Sequence, residues 1–337
     1  MILTKEEIMS AARGAVRCEE RDGAVRLFRF TEEEENIYKS KLDLHYRKTF
    51  ATAAIRLVFK TDSKELFLDL RVDSARTRSY FSCDVVKDGE TVGYIDNFSG
   101  VTLPKHYTGV TLPFGEFSER FELGEGKKTV SIYLPWSVTA DIASLELDDG
   151  ASFEPEREEK ILISYGDSIT QGYDAKRPKN RYAAILADAL GAEEICKGIG
   201  GECFFPPLAK ASPSHRADYI SVAYGTNDWS NVTRETFMEK CRDFYASLSK
   251  GYPDAKIFAI TPIWRKDLNE KTKFGEFSDV EACIRECVSS LDNVFVVSGR
   301  DLVPENEDLY ADGRLHPDDC GFDFYAKKLI EKIKKLI

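Results

Sequence analysis

Residues 160–172 read Lys-Ile-Leu-Ile-Ser-Tyr-Gly-Asp-Ser-Ile-Thr-Gln-Gly, and this stretch decides the fold class. A charged run at 156–159 ends where a short apolar strand begins, and Gly166-Asp167-Ser168 follows that strand. In open α/β sheets, ligands bind beyond the carboxyl ends of the strands, because the loops converge there on a rigid frame. The stretch therefore predicts that Ser168 presents its hydroxyl in the first loop of an α/β sheet.

Downstream of this stretch, apolar strands alternate with amphipathic helices up to the carboxyl end. The pattern predicts strands at 161–165, 194–196, 219–224, 257–261 and 294–297, and helices at 181–190, 233–250, 279–291 and from about 320. Strands 220–223 and 257–260 are apolar on both faces, as expected where helices cover both sides of a sheet. Such alternation predicts parallel strands with right-handed crossovers, and we assign residues 156–337 to this α/β domain.

Upstream, the hydrophobic pattern has a period of two, which is typical of half-buried strands. Such strands are predicted at 54–60, 66–73, 80–87, 91–96, 117–123, 128–135 and 144–148. Short strands without intervening helices predict an N-terminal β-sandwich over residues 1–155, with a jelly-roll-like arrangement as one possibility. A helix is predicted near residues 4–12, and the acidic run 32–35 is interpreted as a solvated loop or a helix start.

Composition excludes several function classes. The 337 residues carry a net charge of −11 and no long basic stripe, so nucleic-acid binding is not expected. Neither a signal peptide nor a membrane-spanning run is visible, which predicts a cytoplasmic protein without a membrane partner. The eight cysteines follow no Cys-x-x-Cys spacing and are interpreted as reduced core residues. We predict no metal and no other cofactor, because no His-rich cluster or dinucleotide fingerprint occurs.

Four loops that follow predicted strands, or precede the last helix, carry candidate chemistry. They contain Gly166-Asp167-Ser168, Gly198-Ile199-Gly200-Gly201, Gly225-Thr226-Asn227-Asp228 and Asp312-Gly313-Arg314-Leu315-His316. Taken singly, each has an ordinary structural explanation, such as a helix cap or a tight turn. Together and in this order, they bring a hydroxyl, backbone N–H groups, an amide and an imidazole with a carboxylate to one edge of the sheet.

These residues resemble the GDSL, or SGNH, hydrolase superfamily, which is named after a Ser, Gly, Asn and His from four sequence blocks. The resemblance covers residues 160–337 and implies a flavodoxin-like three-layer α/β/α domain. It also implies Ser168 as nucleophile, His316 as general base and Asp312 as the residue that orients His316. The oxyanion hole would consist of the backbone N–H groups of Ser168 and Gly201 and the side chain of Asn227.

The spacing of Asp312 departs from the family pattern. The family places its Asp three residues before the His, whereas Asp312 precedes His316 by four, and Gly313 occupies the usual position. If the loop bulges, Asp312 can reach Nδ1 of His316. If it does not, a Ser–His dyad with a backbone carbonyl that orients the ring is the alternative.

A β-sandwich ahead of such a domain is similar to two-domain carbohydrate acetyl esterases. The resemblance implies hydrolysis of short acyl esters, above all O-acetyl groups on oligosaccharides, with Trp229 and Trp264 as candidates for stacking on sugar rings. Trp136 is a third candidate in the sandwich, and core packing is an equal alternative for each tryptophan. The expected partner is a small-molecule or oligosaccharide ester, and an oligomer is possible. A thioesterase or general short-chain esterase, or an inactive carbohydrate-binding protein, are the alternatives.

Overall fold

The computed structural model describes residues 1–337, and its N-terminal part contains two antiparallel sheets. The strands of this part are β1 (Ala12–Arg13), β2 (Arg17–Arg21), β3 (Ala24–Phe28), β4 (Arg56–Thr61), β5 (Glu65–Ser74), β6 (Ser82–Lys87), β7 (Glu90–Asp96), β8 (Gly115–Glu122), β9 (Lys128–Tyr133), β10 (Val138–Leu147) and β11 (Glu154–Pro155). One sheet has the order β1-β4-β9-β6-β7, with β11 also paired to β4, and the other has the order β2-β3-β10-β5-β8. The predicted N-terminal β-sandwich is confirmed.

Alternating burial explains why these segments form a sandwich. In β5, Leu66, Leu68 and Leu70 are buried and the residues between them are not. Successive side chains of a strand point to opposite faces, so all three leucines lie on one side of their sheet. They share a core with Leu57 of β4 and Ile132 of β9, which belong to the other sheet. The period of two in the sequence therefore marks the faces that bury this core.

Three helices accompany the sandwich strands: α1 (Lys5–Ala11), α2 (Glu32–Lys41) and α3 (Asp43–Lys48). The acidic run is a helix start, because Thr31 accepts from the Glu34 backbone N–H while the Glu34 side chain accepts from the Thr31 N–H. The interpretation of residues 32–35 as a solvated run is wrong for two of them, Glu34 and Glu35. Glu34 is buried against Lys197 at 2.5 Å, and Glu35 accepts from Arg17 at 2.7 Å.

The C-terminal part forms a parallel sheet with helices. Its strands are β12 (Lys160–Gly166), β13 (Ala192–Cys196), β14 (Tyr219–Ala223), β15 (Lys256–Ile260) and β16 (Val294–Val297). Its helices are α4 (Ser168–Gln171), α5 (Tyr182–Leu190), α6 (Pro206–Ala209), α7 (Thr226–Asn231), α8 (Arg234–Gly251), α9 (Asp279–Val288) and α10 (Asp319–Ile333). Turns of 3₁₀ helix occur at Pro178–Asn180 and Glu307–Leu309, and at Tyr107–Gly109 in the N-terminal part. The strand order β13-β12-β14-β15-β16 is that of flavodoxin-like folds. The predicted α/β domain is confirmed.

Helices cover both faces of the parallel sheet. Phe237, Phe244 and Leu248 of α8 are buried on one side, while Leu186 of α5 and Leu329 of α10 are buried on the other. These spacings of four and seven residues place the apolar side chains of α8 on one stripe. None of the helices has both the length and the apolar character needed to cross a membrane.

Residues of the N-terminal part complete both of these cores. Phe30 and Tyr38 pack with α8 on one side of the parallel sheet, and Tyr80, Tyr107 and Trp136 pack with α5 and α10 on the other. The predicted boundary after residue 155, between a sandwich domain and an α/β domain, stays a prediction. The hydrophobic packing does not follow this boundary, because apolar side chains from before residue 155 lie within the C-terminal cores.

Arg29 makes the most concentrated polar contact between the two parts. Its guanidinium is fully buried and donates to four carbonyl oxygens. They belong to Ala51 at 2.9 Å, Lys48 at 3.0 Å, Cys196 at 3.1 Å and Gly198 at 2.7 Å. Two carbonyls come from the N-terminal part and two from the end of β13 and the loop after it. One side chain thus fixes the distance between α3 and that loop.

We expect Arg29→Met to lower the free energy of unfolding by about 3 to 5 kcal/mol, because four buried carbonyl groups lose a charged donor. Urea denaturation followed by tryptophan fluorescence measures the change. Arg21→Met is the matched control, since Arg21 is a half-exposed arginine of β2 that pairs with Glu19, and we expect a change within about 1 kcal/mol there. Equal effects of the two variants would contradict the role given to Arg29.

Candidate active site

The Ser168 hydroxyl lies just beyond the carboxyl end of β12, at the first residue of α4. Asp167 caps this short helix, because its Oδ1 accepts from the backbone N–H of Ile169 at 2.9 Å. Glycine is required at position 166, since a Cβ there would lie 2.1 Å from Oγ1 of Thr170. The tight turn from strand to helix therefore depends on both residues that precede Ser168.

Ser168 and His316 are in hydrogen-bond contact. Oγ of Ser168 lies 2.8 Å from Nε2 of His316, and the ring of Tyr173 stacks on the imidazole with centroids 5.6 Å apart. Nδ1 of His316 lies 2.8 Å from Oδ2 of Asp312. A proton on Nδ1, donated to that carboxylate, leaves Nε2 free to accept the Ser168 hydroxyl. Three of the predicted site residues thus form one hydrogen-bonded row.

The loop before α10 accommodates the four-residue spacing between Asp312 and His316. Oδ1 of Asp312 accepts from the backbone N–H groups of Arg314, Leu315 and His316 at 2.8, 2.7 and 3.1 Å, and Gly313 has a φ of +65°. Burial alone would raise the pKa of Asp312. The hydrogen bonds from His316 and from the loop amides outweigh burial and hold the pKa of Asp312 well below its ordinary value. Asp312 is therefore an anion beside His316 at neutral pH.

The loop after β13 lies directly against the Ser168 turn. The backbone N–H of Ile199 donates to the carbonyl of Gly166 at 3.0 Å, and that of Gly200 donates to the side chain of Gln171 at 2.9 Å. A Cβ on Gly200 would lie 2.4 Å from the hydroxyl of Tyr173, so only glycine allows this approach. The second predicted loop is thus fixed to the first.

The predicted oxyanion donors are open to a ligand. The backbone N–H groups of Ser168 and Gly201 donate to no protein atom. Asn227, in the first turn of α7, donates one hydrogen of its amide to the carbonyl of Glu202 at 3.1 Å, which leaves the second hydrogen. The role of these donors stays a prediction, and their availability is what that role requires.

Asp174 is a functional candidate that the sequence analysis missed. Its carboxylate is fully buried, and Oδ2 lies 3.4 Å from Nδ1 of His316. Arg78 of the sandwich donates to both of its oxygens at 2.7 and 3.0 Å, and Tyr80 donates to Oδ1. An acidic residue six positions after Ser168 was the available signal, whereas its partner Arg78 lies 96 residues upstream. No sequence pattern links residues that far apart.

The atoms around His316 suit a proton relay better than a metal centre. Asp174, Asp312 and His316 each offer one atom within 4.8 Å of the others, which is a spacing that a metal ion could bridge. However, both oxygens of Asp174 accept from Arg78, and the two ring nitrogens face Asp312 and Ser168. The guanidinium therefore already balances the negative charge of the buried carboxylate.

Two other carboxylates are buried beneath the loops. Burial raises the pKa of Asp167 to about 6, although the hydrogen bond from Ile169 works against it. Burial, with a smaller contribution from Asp167, raises the pKa of Asp228 to about 7. Asp228 accepts from the backbone N–H groups of Phe204 at 3.0 Å and Gly225 at 3.1 Å. Asp167 and Asp228 therefore hold loops in place through hydrogen bonds, and the free energy that their burial costs depends on pH.

The structure corrects the prediction for Trp229. Its ring is 1% exposed and its Nε1 donates to the carbonyl of Gly275 at 2.9 Å, so it cannot stack on a sugar. Trp136 is buried as well. Trp264 is partly exposed, packs on Tyr310 with centroids 5.0 Å apart, and lines a pocket of about 470 Å³ beyond β15 and β16. Only Trp264 keeps its predicted role as a binding candidate.

Residues 164–323 match the model of the GDSL-like lipase/acylhydrolase family. No curated protein matches the chain. Among solved structures, the salicylyl-acyltransferase SsfX3 from a tetracycline biosynthetic pathway is 21% identical with a TM-score of 0.79, over 96% of this chain and 94% of that one.

Two carbohydrate esterases have a similar fold. A family two carbohydrate esterase from Clostridium thermocellum, solved with cellohexaose, is 16% identical with a TM-score of 0.63, over 83% of this chain and 92% of that one. An acetyl xylan esterase from the rumen bacterium Butyrivibrio proteoclasticus is 19% identical with a TM-score of 0.57, over 84% and 90%. These structures share both the sandwich and the α/β part with this chain, and at such identities they show the fold alone.

We expect Asp312→Asn to lower kcat on a short acyl ester by about 10²-fold, because the His316 ring loses the anion that orients it. We expect a loss below the roughly 10⁴-fold of the corresponding Asp→Asn change in a serine protease, since Asp174 lies 3.4 Å from the same nitrogen. Steady-state kinetics measures it. Asp308→Asn, at an exposed aspartate that pairs with Lys105, is the control. An unchanged kcat in Asp312→Asn would remove this residue from the mechanism.

The buried Asp167 predicts a pH-dependent stability difference. Its pKa is about 6 in the folded protein and about 3.9 in an unfolded chain, so between these values only the folded state holds the proton. The free energy of unfolding therefore falls as the pH rises from about 4 to about 6, and the loss persists above. Asp167→Asn cannot ionise and still offers Oδ1 to Ile169.

We expect Asp167→Asn to be more stable than the parent by roughly 2 to 3 kcal/mol at pH 7.5, with a clearly smaller difference at pH 4.5. Urea denaturation at both pH values measures this. Asp292→Asn, at an exposed aspartate, serves as the control and should show no such dependence. A difference of the same size at the two pH values would exclude ionisation of Asp167 as its cause.

Proposed function

Because residues 164–323 form a GDSL-like lipase/acylhydrolase domain, we propose that this protein is a serine esterase that hydrolyses short acyl esters, above all O-acetyl groups on oligosaccharides. The observation that carries the proposal is the hydrogen-bonded row of Ser168, His316 and Asp312. Its two contacts are both 2.8 Å long. A serine hydroxyl is a weak nucleophile, and an adjacent imidazole that accepts its proton makes it a useful one.

The first half of the proposed reaction forms an acyl-enzyme. Oγ of Ser168 attacks the ester carbonyl carbon while Nε2 of His316 takes the hydroxyl proton. The carbonyl oxygen becomes an oxyanion, which the N–H groups of Ser168 and Gly201 and the free hydrogen of Asn227 can bind. The C–O bond to the alcohol then breaks, and Nε2 returns its proton to the departing alcohol oxygen. Asp312 stays ionised and stabilises the transient imidazolium.

The second half releases the acid. A water molecule gives its proton to Nε2 of His316 as its oxygen attacks the acyl carbon, and the bond to Oγ of Ser168 breaks as Nε2 returns the proton to Oγ. The products are a carboxylic acid and the original serine. All proton transfers run through one nitrogen atom, so the same contact of 2.8 Å serves both halves.

An acetylated carbohydrate is the substrate class that the comparisons favour. Proteins of the same two-part fold include a carbohydrate esterase solved with cellohexaose and an acetyl xylan esterase. The chain also lacks a long apolar lid segment of the kind a lipase uses at a lipid surface. A thioesterase or general short-chain esterase would use the same residues, and substrate rates separate these alternatives.

Acyl transfer is a second candidate, favoured by the likeness to an acyltransferase over nearly the full length of both chains. The chemistry differs in one step only, because an acceptor alcohol takes the place of water at the acyl-enzyme. Adding an alcohol acceptor to the assay distinguishes ester formation from hydrolysis.

We expect the parent protein to release acetate from acetylated xylo- or manno-oligosaccharides faster than it cleaves short acyl thioesters, and Ser168→Ala to lose at least 10³-fold of this rate, since no other nucleophile lies on His316. Chromatographic detection of acetate, with 4-nitrophenyl acetate as a reference substrate, measures both.

Ser164→Ala is the matched control, because Ser164 is a buried serine of β12, the strand that leads to Ser168, and its hydroxyl has no hydrogen-bond partner. Its rate should stay close to that of the parent. Cleavage of the nitrophenyl ester alone would leave a serine esterase and remove the carbohydrate assignment. Full activity of Ser168→Ala would reject the mechanism.

A further inference from the structure

Lys48, the last residue of α3, reaches the loop that carries Gly201. Its Nζ donates to the carbonyl oxygen of Gly200 at 2.6 Å, in a contact shielded from solvent. Burial lowers the pKa of Lys48, while the nearby carboxylate of Glu202 works in the opposite direction. An ammonium group that is buried on a backbone carbonyl needs an explanation, because such a charge is expensive to remove from water.

The acceptor of this contact belongs to a peptide that the proposed mechanism uses. The carbonyl of Gly200 and the N–H of Gly201 are the two ends of one planar, resonance-stabilised unit. A cation on the carbonyl oxygen draws electron density toward that oxygen and makes the N–H at the other end a stronger donor. The Gly201 N–H is one of the two predicted backbone donors of the oxyanion hole, and it donates to no protein atom.

The same peptide is held in one orientation. The N–H of Gly200 donates to Gln171, and Gly201 adopts a φ of +84°, which glycine reaches without strain. Lys48 itself is fixed, since its own carbonyl accepts from Arg29 at 3.0 Å. The ammonium therefore contacts the carbonyl end of the peptide, opposite the N–H that the oxyanion would use.

We propose that Lys48 is a positioning residue for the oxyanion, acting through the Gly200–Gly201 peptide. This inference rests on the proposed esterase function. It assigns the N-terminal part an indirect share in transition-state stabilisation, because Lys48 lies outside the residues that match the family model. It also differs from anchoring, in which Lys48 would only hold α3 in place and any residue that kept the fold would serve.

Kinetics of two variants test the catalytic half of the inference. Losing a direct oxyanion donor lowers kcat by about 10²- to 10³-fold, and an indirect one should cost less. We expect Lys48→Met to lower kcat on 4-nitrophenyl acetate by about 10- to 100-fold with KM changed by less than about 3-fold, and Lys48→Arg to recover most of the loss. Lys39→Met, at an exposed lysine of α2, controls for the change in net charge.

A spectroscopic test of the peptide itself does not depend on activity. The sequence contains one Gly-Gly pair, Gly200–Gly201, among its 22 glycines. Protein labelled with [1-¹³C,¹⁵N]glycine therefore gives a single cross-peak in an HNCO spectrum, which reports the Gly200 carbonyl and the Gly201 N–H together. We expect Lys48→Met to move both the carbonyl carbon and the amide proton of this peak upfield, and Lys48→Arg to keep it near the parent position.

The combined outcomes decide between the explanations. A lower kcat together with the shifted cross-peak supports the inference, and an unchanged kcat with a shifted peak overturns it in favour of anchoring. Equal losses in Lys48→Met and Lys48→Arg, or a rise of KM that accounts for the effect, would also overturn it. If the parent and Ser168→Ala were equally inactive, the proposed function would fail instead, while the cross-peak would still show whether Lys48 polarises this peptide.

Discussion

The position of the loops at the candidate active site depends on one buried cation, the guanidinium of Arg29. It is surrounded by carbonyl oxygens of α3 and of the loop after β13, at 2.7 to 3.1 Å. Burial lowers the pKa of Arg29, yet a guanidinium stays charged, so its donors must all be satisfied inside the protein. The four carbonyl dipoles compensate the buried charge of Arg29 only when all of them are hydrogen-bonded to it. Any shift of α3 against the parallel sheet would therefore leave a buried charge short of partners.

Residues of the N-terminal part contact three loops of the candidate site. Arg78 binds the loop that follows Ser168, Lys48 binds the loop at 197–201, and Nδ1 of His106 lies 3.2 Å from a carbonyl of the loop before α10. Each of these loops thus carries at least one contact from residues that precede the parallel sheet. The N-terminal part therefore belongs to the scaffold of the candidate site.

The sequence predicted the features that depend on local patterns. Alternating burial in β5 and the four-residue apolar spacing in α8 are periodicities of single elements, and both produced the observed strands and helix. The contact between Asp312 and His316 was within reach of prediction because the two residues share a short loop. The pairing of Asp174 with Arg78 was not, since it depends on how two sheets meet. The prediction that Trp229 binds a sugar is wrong, because packing and not the neighbouring sequence decides whether an aromatic ring is exposed.

Charge balance explains why long-range cations are needed at this site. In the proposed mechanism, Asp312 and Asp174 would favour an imidazolium on His316, but two carboxylates this close would also oppose negative charge on the substrate oxygen. Arg78 compensates one of them through two direct hydrogen bonds. Lys48 adds a positive charge at the carbonyl end of the Gly200–Gly201 peptide, whose N–H would bind the oxyanion in the proposed mechanism. The carboxylates come from the α/β domain and both cations from the N-terminal part, so neither part alone has the charge distribution that ester hydrolysis requires.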